Sequence, residues 1–127
     1  MDRVTCDLTS LALRRALDGA AARQGVAAEN LANIETPGYR ARRVEFQAQL
    51  REALEAAADG DAADLDAFSP LRTIYAGLPL RRDGNAVDLE TEMAELAESS
   101  LQYQAVTRLL SRKLQMLRSV ATEGGRS

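Results

Sequence analysis

Apolar residues recur along the first part of the chain at alternating intervals of four and three positions. This heptad spacing places side chains along one stripe of an α-helix, an arrangement that pairs helices. Alanines beside the stripe allow a second helix to approach closely, and we predict a helix over residues 7–35. The stripe consists of Leu13, Leu17, Ala20, Gln24, Ala27, Leu31 and Ile34.

The last part of the chain keeps the same alternation for longer and predicts a helix over residues 88–121. Asp88 is the predicted N-cap, because its side chain can accept a hydrogen bond from the first backbone N–H groups. Acidic residues crowd the first half and basic residues the second half, the order that the helix dipole favours. The stripe consists of Leu89, Met93, Leu96, Ser100, Tyr103, Thr107, Leu110, Leu114, Leu117 and Ala121.

The segment between these helices has weaker patterns. Thr36-Pro37-Gly38-Tyr39 predicts a type II turn, since proline and glycine suit its two central positions. This turn and a short helix occupy residues 36–54. Residues 55–87 are a predicted linker, rich in Ala and Asp at its start, with a short extended segment or hairpin at Thr73-Ile74-Tyr75.

Together the patterns predict an all-α fold of one domain, 1–127, in which two long antiparallel terminal helices form a coiled-coil-like axial domain. The second helix would be about 50 Å long and would extend beyond a compact domain of this size. We therefore expect its outer face to pack on other subunits. A monomeric bundle, in which the middle segment covers that face, is the alternative. The residues expected to pair the helices are Leu13, Leu17, Leu31, Leu96, Tyr103, Leu110, Leu114 and Leu117.

The composition excludes most catalytic chemistry. The 127 residues include no His and a single Cys, Cys6, so there is no catalytic triad, imidazole metal ligand or internal disulfide. We predict no enzyme, no catalytic residue, no cofactor and no metal site. The acidic residues of the linker lack the ligand order of a calcium loop and favour a solvated segment. They are Asp59, Asp61, Asp64 and Asp66.

Charge and hydropathy exclude further classes of protein. The formal net charge of -3 argues against nucleic acid as a partner, and no feature indicates a small-molecule ligand. No run reaches the ~18 apolar residues that a membrane span needs, and residues 1–15 lack the pattern of a cleaved signal peptide. These tests alone predict a cytosolic protein.

The most distinctive run of the chain covers residues 28–39, Ala-Glu-Asn-Leu-Ala-Asn-Ile-Glu-Thr-Pro-Gly-Tyr. Its two asparagines lie about one helical turn apart and can bond backbone groups where the helix ends, and the tyrosine can pack back on the helix. The run resembles the N-terminal motif of the bacterial flagellar axial family of rod, hook and hook-associated proteins. The family turn motif would comprise Asn30, Asn33, Thr36, Pro37, Gly38 and Tyr39.

The C-terminal half narrows the resemblance to the proximal rod proteins of the flagellar basal body. Residues 83–90, Asp-Gly-Asn-Ala-Val-Asp-Leu-Glu, followed by Ser-Leu-Gln-Tyr-Gln at 100–104, look like such a protein. The short length agrees, because hook and distal rod proteins carry a large β domain between their terminal helices. The resemblance covers residues 8–54 and 83–121. A sister proximal rod protein of similar size is the alternative.

The resemblance implies a structural subunit of the proximal rod, assembled helically into the drive shaft and export channel and required for motility. Its partners would be copies of itself, other rod proteins, the ring-rod junction protein and the flagellar type III export apparatus. Its place would be the periplasm-spanning rod, reached without a cleaved signal peptide. A cytosolic helical adaptor or chaperone that uses the same heptads is the alternative from another class.

Members of this family also resemble one another in a Phe-x-x-x-apolar element that the export gate reads. Phe46-Gln47-Ala48-Gln49-Leu50 fits that spacing, which makes Phe46 and Leu50 candidate recognition residues. The same two residues stand four apart on a predicted helix, so a pair packed in the core explains them equally well.

Overall fold

A computed structural model describes residues 2–61, 63, 73–75, 81, 82, 84 and 87–124, without the side chains of 2–7, 73, 74 and 124. Within this part the elements in chain order are helix α1 (Asp2–Ala32), strand β1 (Arg42–Val44), helix α2 (Gln47–Ala58), strand β2 (Thr73–Tyr75) and helix α3 (Leu89–Gly124). The fold is all-α in class, as predicted, and the described residues also form a small two-stranded sheet.

The two long helices lie side by side and run in opposite directions. Asn30, near the end of α1, contacts Glu92 in the first turns of α3, and Gln24 contacts Ser100. At the other end of the pair, Leu13 and Leu117 line one groove. Partner numbers rise along α3 as they fall along α1, which confirms the predicted antiparallel pairing.

The buried stripe of α3 lies one position away from the predicted stripe. Residues at seven-residue intervals, Glu92, Ser99 and Val106, are buried against α1, whereas Met93 is 57% exposed. Two of these three residues are polar, so a search for apolar spacing passes over them. Of the eight residues expected to pair the helices, five are half-buried, namely Leu13, Leu17, Leu31, Leu96 and Leu110. The other three, Tyr103, Leu114 and Leu117, are exposed in the single chain.

The hydrophobic core lies where α2 packs against the first half of α1. Phe46, Leu50, Ala53 and Ala57 lie on one face of the helical segment and are buried. This stripe continues past the predicted helix end at 54, and α2 therefore runs to Ala58. There the N–H groups of the next residues fold back onto α2, with Gly60 N bonding Ala57 O at 3.1 Å. Gly60 has a φ of 104°, the left-handed conformation that commonly ends helices.

Strands β1 and β2 pair antiparallel, with Arg42 opposite Tyr75 and Val44 opposite Thr73. The extended segment predicted at Thr73-Ile74-Tyr75 is present as β2. Strand β1 was not predicted; it lies between the predicted turn and the predicted short helix. Its two consecutive arginines do not indicate a strand, because long charged side chains give no alternation of apolar and polar positions.

Helix boundaries differ modestly from the predicted ones. Helix α1 ends at Ala32 rather than 35, and α3 starts directly after Asp88, whose carboxylate accepts a hydrogen bond from the Thr91 hydroxyl at 2.7 Å. No helix in the described ranges is both long and apolar enough to cross a membrane. The side chain of Cys6, Asp64, Asp66 and residues 83 and 85 of the polar turn lie outside the described residues.

Candidate assembly site

Asn30 is the centre of a buried polar network that joins three segments of the chain. Its side chain is fully buried. Its amide nitrogen donates to the Arg42 carbonyl and to Glu92 Oε2, both at 2.9 Å. Its oxygen accepts from the Arg42 N–H and from the Tyr39 hydroxyl, both at 3.1 Å. Both donors and both acceptor positions of the amide are therefore used, which offsets the cost of burying it.

Glu92 links this network to β1 through charge. Its carboxylate is fully buried on α3, and Oε1 lies 2.7 Å from Nη2 of Arg43. That oxygen accepts no hydrogen bond from the described residues, so charge attraction holds the pair. A buried carboxylate needs such a partner, because removing a charge from water is costly. The network thus ties α1, β1 and α3 to one arrangement.

The turn after α1 has the predicted geometry. The Tyr39 N–H donates to the Thr36 carbonyl at 3.2 Å, and Gly38 has a φ of 79°, as the third position of a type II turn requires. Asn33 Nδ2 donates to the Glu29 carbonyl at 2.9 Å, and the Thr36 hydroxyl donates to Asn33 Oδ1 at 3.0 Å. Pro37 is exposed in the turn.

Arg42 links the buried network to the surface, because its backbone bonds Asn30 and its side chain is partly exposed. Its guanidinium lies 2.6 Å from Glu29 Oε2. A hydrogen bond with Tyr39, followed by the charge of Glu29, raises the pKa of Arg42 above its ordinary value. Beside it, the Arg40 guanidinium lies 4.5 Å from the centre of the Tyr75 ring, a cation–π contact that joins the turn to β2.

The fold brings together the two segments that carried the sequence resemblance. An ideal Cβ on Gly84 would lie 3.3 Å from the Cα of Gly38, so the two turns touch at their backbones. Arg81 also donates to the Ile34 carbonyl. Val87, just before α3, is 7% exposed. The N-terminal turn motif and the approach to α3 therefore form one structural unit.

A second polar cluster lies further along the helix pair. Arg23 of α1 donates to Glu95 at 2.9 Å and to Gln102 at 2.8 Å, and lies 3.6 Å from Glu98. A cavity of about 600 Å³ opens beside Arg23, with Arg43 also in its lining. Because Arg23 reaches three residues of α3 over two turns, it fixes the helices along their axes.

Phe46 and Leu50, the candidate export residues, are packed in the core of the folded chain. They are 3% and 9% exposed. The Phe46 ring lies directly against Gly19 of α1, where an added Cβ would be 2.8 Å from the ring's Cζ. The core-pair interpretation is therefore confirmed, and recognition by the export gate stays a prediction.

The end of the helix pair far from Asn30 is open. Leu109, Met116 and Val120 are 54%, 64% and 67% exposed. They border an apolar groove of about 470 Å³ between α1 and α3, with Leu13 on the α1 side. Contiguous apolar surface of this kind marks interaction sites in proteins.

No group of three or more His, Cys, Asp or Glu side chains lies together in the described part of the chain in a way that could hold a metal ion. Of the acidic linker residues, Asp59 and Asp61 are described, and both are exposed beyond the end of α2. The arrangement of the described residues therefore holds helices together and presents apolar surface.

Sequence reasoning missed four residues that position this site: Arg23, Arg43, Glu92 and Ser99. All four are polar residues at or beside the helix interface. A signal for Glu92 and Ser99 does exist in the sequence, because they stand seven residues apart and Val106 follows after seven more. Their partners on α1 and β1 could not be assigned without the fold.

Comparison with known proteins gives consistent matches. A family model described as "Flagella basal body rod protein" matches residues 11–40, which include the whole turn motif. Flagellar basal body rod protein FlgB of Bacillus subtilis (strain 168) is 36% identical over 120 residues, covering 88% of this chain and 92% of its own length. The FlgB proteins of Escherichia coli (strain K12) and Yersinia enterocolitica are 33% and 32% identical, each over 87% of this chain and 91% of its own length. The similarity therefore includes α3 as well as the turn.

Proposed function

The chain belongs to the FlgB family of flagellar basal body rod proteins, and from this premise we propose where and how it acts in the rod. It is a structural subunit of the basal-body rod and assembles with other rod components. The resemblance to the rod family is therefore confirmed, and it is confirmed for FlgB rather than for the sister rod protein. The alternative of a cytosolic adaptor or chaperone is wrong.

The proposed place is the proximal, periplasm-spanning part of the rod. There the chain stacks helically with copies of itself and other rod proteins around the export channel, next to the ring-rod junction protein. The role is mechanical and not enzymatic, and motility depends on it. The coiled-coil-like pair of α1 and α3 would form the wall of the shaft, with Asn30 and the turn motif holding the pair together.

One observation carries this proposal: the open end of the helix pair. The apolar side chains of Leu109, Met116 and Val120 are more than half exposed, although the chain has a small core of its own. Exposed apolar surface is stabilised when other subunits cover it. Contacts between unlike faces continue from copy to copy and build a helical tube.

The export apparatus is a further proposed partner. Phe46 and Leu50 are inaccessible in the folded chain, so a gate could read them only before folding. After export the same two residues would be buried in the hydrophobic core. They would then have one role in export and a second role in the folded chain. Leu50→Ala keeps the helix, and measuring both export and folding of this variant separates the two roles. Loss of export in a variant that still folds would support recognition by the export gate.

The experiment that tests the rod assignment is complementation in a strain that lacks its own FlgB. The full chain with a C-terminal affinity tag, expressed there, should restore swimming, and the tag should copurify with basal bodies. A matched control carries Leu110→Asp, which places a charge at the half-buried helix interface and should prevent both. Basal bodies without the tagged chain, in cells that swim, would contradict the assignment.

A further inference from the structure

The last part of α3 carries exposed apolar side chains with bases along their borders. Leu109, Met116 and Val120 are more than half exposed and lie within about 40° of one another around the helix axis. Arg112 and Lys113 lie on either side of them, and both also line the groove at the open end. This surface, here called the basic face, has the apolar centre and cationic borders of a helix that lies in a lipid–water interface.

The charge around the basic face has one sign. Between Glu98 and Glu123 the chain has four bases and no acid, whereas residues 88–98 include five acids and no base. The overall net charge of -3 therefore conceals a basic segment at the end of α3. Because its bases border apolar side chains, the matching surface has to offer negative charge and an apolar layer together. An anionic lipid bilayer offers both, with phosphates directly above its acyl chains.

The fold leaves the basic face accessible to a flat surface. Val106, which is buried against α1, lies about 60° from Leu109 around α3, so α1 lies beside the basic face and does not cover it. A plane that touches this face also meets the groove between the two helices, where Leu13 of α1 adds apolar surface. The pair of helices can therefore lie flat on a bilayer without any change in its internal packing.

We propose that the free chain binds the surface of an anionic lipid bilayer through the basic face, with α3 lying in the plane of the interface. The three apolar side chains enter the boundary of the acyl chains. The stems of Arg112 and Lys113 extend along that boundary, so that their charged ends meet lipid phosphates. This binding goes beyond the proposed role in the rod, because it belongs to a copy whose groove is uncovered.

Vesicle flotation of the purified full chain tests this binding. The chain should float with vesicles made of equal parts of phosphatidylglycerol and phosphatidylcholine, and should not float with phosphatidylcholine alone, because the binding needs both charge and apolar burial. Raising the salt concentration should release it, since salt screens the attraction. Flotation with both kinds of vesicle, or with neither, would overturn the proposal. Because no rod takes part in this experiment, either result would leave the rod assignment intact.

Paired substitutions locate the contact. Arg112→Gln with Lys113→Gln should lower the partition coefficient for the anionic vesicles about 30-fold, since each base near such a surface contributes about fivefold. Arg40→Gln with Arg82→Gln removes the same charge from exposed positions at the Asn30 end of the chain. That control should change the coefficient by less than about twofold, because those charges lie beyond the screening length of the buffer. Circular dichroism should show equal helix content in both variants, and equal losses of binding would overturn the proposed contact.

A fluorescent probe separates the lipid from other occupants of the basic face. One chain carries Cys6→Ser and Met116→Cys, and a second carries Cys6→Ser and Ser111→Cys, at an exposed position about 140° from Met116 around α3. An environment-sensitive dye at position 116 should shift its emission to the blue with anionic vesicles, and the dye at position 111 should not. A blue shift at 116 without vesicles, growing with protein concentration, would identify a second copy as the occupant and overturn the proposal. Equal shifts at both positions, or none at 116, would overturn it as well.

Discussion

The two ends of the pair formed by α1 and α3 differ in whether their side chains find contacts within the chain. At the closed end, around Asn30, Glu92 and Arg43, polar groups are buried and find their partners within the chain. At the open end, around Leu109 and Met116, apolar side chains remain more than half exposed. The contact between α1 and α3 is complete in a single copy at the closed end, whereas at the open end an apolar groove between the two helices stays uncovered.

This difference suits a subunit that must hold one internal geometry and still polymerise. A buried polar network tolerates few alternative arrangements, because a slipped helix would leave hydrogen-bonding groups unpaired. An apolar groove has no such directional demand and can accept a partner after the chain has folded. Substitutions at the closed end should therefore change stability, and substitutions at the open end should change assembly.

The largest effect on stability is expected from Asn30→Ala. It removes the partner of Glu92 Oε2, of the Tyr39 hydroxyl and of both backbone groups of Arg42. We expect a loss of about 3–5 kcal/mol in the free energy of unfolding, measured by urea denaturation of the full chain. Asn33→Ala is the matched control, because its partially exposed amide can be replaced by water, and it should cost about 1 kcal/mol or less. Equal losses in the two variants would show that the closed end is not held by this network.

Gly19→Ala is expected to have the second-largest effect. The new methyl group would overlap the Phe46 ring, which cannot move without disturbing the core, and the cost should be about 1–3 kcal/mol in thermal or urea unfolding. Gly25→Ala has open space around the added Cβ and should instead stabilise the chain by up to about 1 kcal/mol, since alanine favours helix. Adding Phe46→Leu to Gly19→Ala should recover part of the loss. Stabilisation by both glycine substitutions would rule out the close approach of α1 and Phe46.

A smaller effect is expected from Arg23→Met. Methionine keeps the apolar stem but loses the contacts to Glu95 and Gln102, and the cost should be about 1 kcal/mol at low salt. Raising the salt concentration should narrow the difference from the unsubstituted chain, because salt screens the lost ion pair. Arg51→Met, at an exposed position of α2, serves as the control. A difference that grows with salt would exclude an ion pair as the source of the stability.

The smallest effect on stability is expected at the open end, from Met116→Ser combined with Val120→Ser. Both side chains are about two-thirds exposed, so unfolding of the single chain should change by less than about 0.5 kcal/mol. Incorporation into basal bodies and swimming should nevertheless fall severely. The exposed Gln115→Ser control should leave both properties unchanged. Normal incorporation of the double variant would mean that the groove does not contact a neighbour.

The sequence predicted the helices well where apolar residues alone define them. The spacing through Ala20 and Ala27 identified the buried stripe of α1, and Pro37-Gly38 identified the turn. The stripe of α3 was misplaced because Glu92 and Ser99 occupy interface positions that an apolar pattern leaves out. A polar residue can take such a position only when a partner exists, and the partner of Glu92 stands 49 positions earlier, at Arg43.

Roles that depend on contacts across the chain could not be predicted. Gly19 weakens a helix when considered alone, yet it gives the space that the Phe46 ring fills. The asparagines of the turn motif were expected to bond backbone where the helix ends. Asn33 does so, whereas Asn30 bonds the backbone of Arg42 and the carboxylate of Glu92, which come from two other elements. Only the fold brings those partners together.

Amide hydrogen exchange of the full chain, before and after incorporation into rods, tests the contrast between the two ends most directly. In the isolated chain we expect slow exchange at residues 24–31 and 91–106, where the polar network holds the helices, and fast exchange at 109–123. In assembled rods both regions should exchange slowly. Equally slow exchange at both ends of the isolated chain, or an open end that stays fast in the rod, would contradict a subunit that is closed at one end and completed by its neighbours at the other.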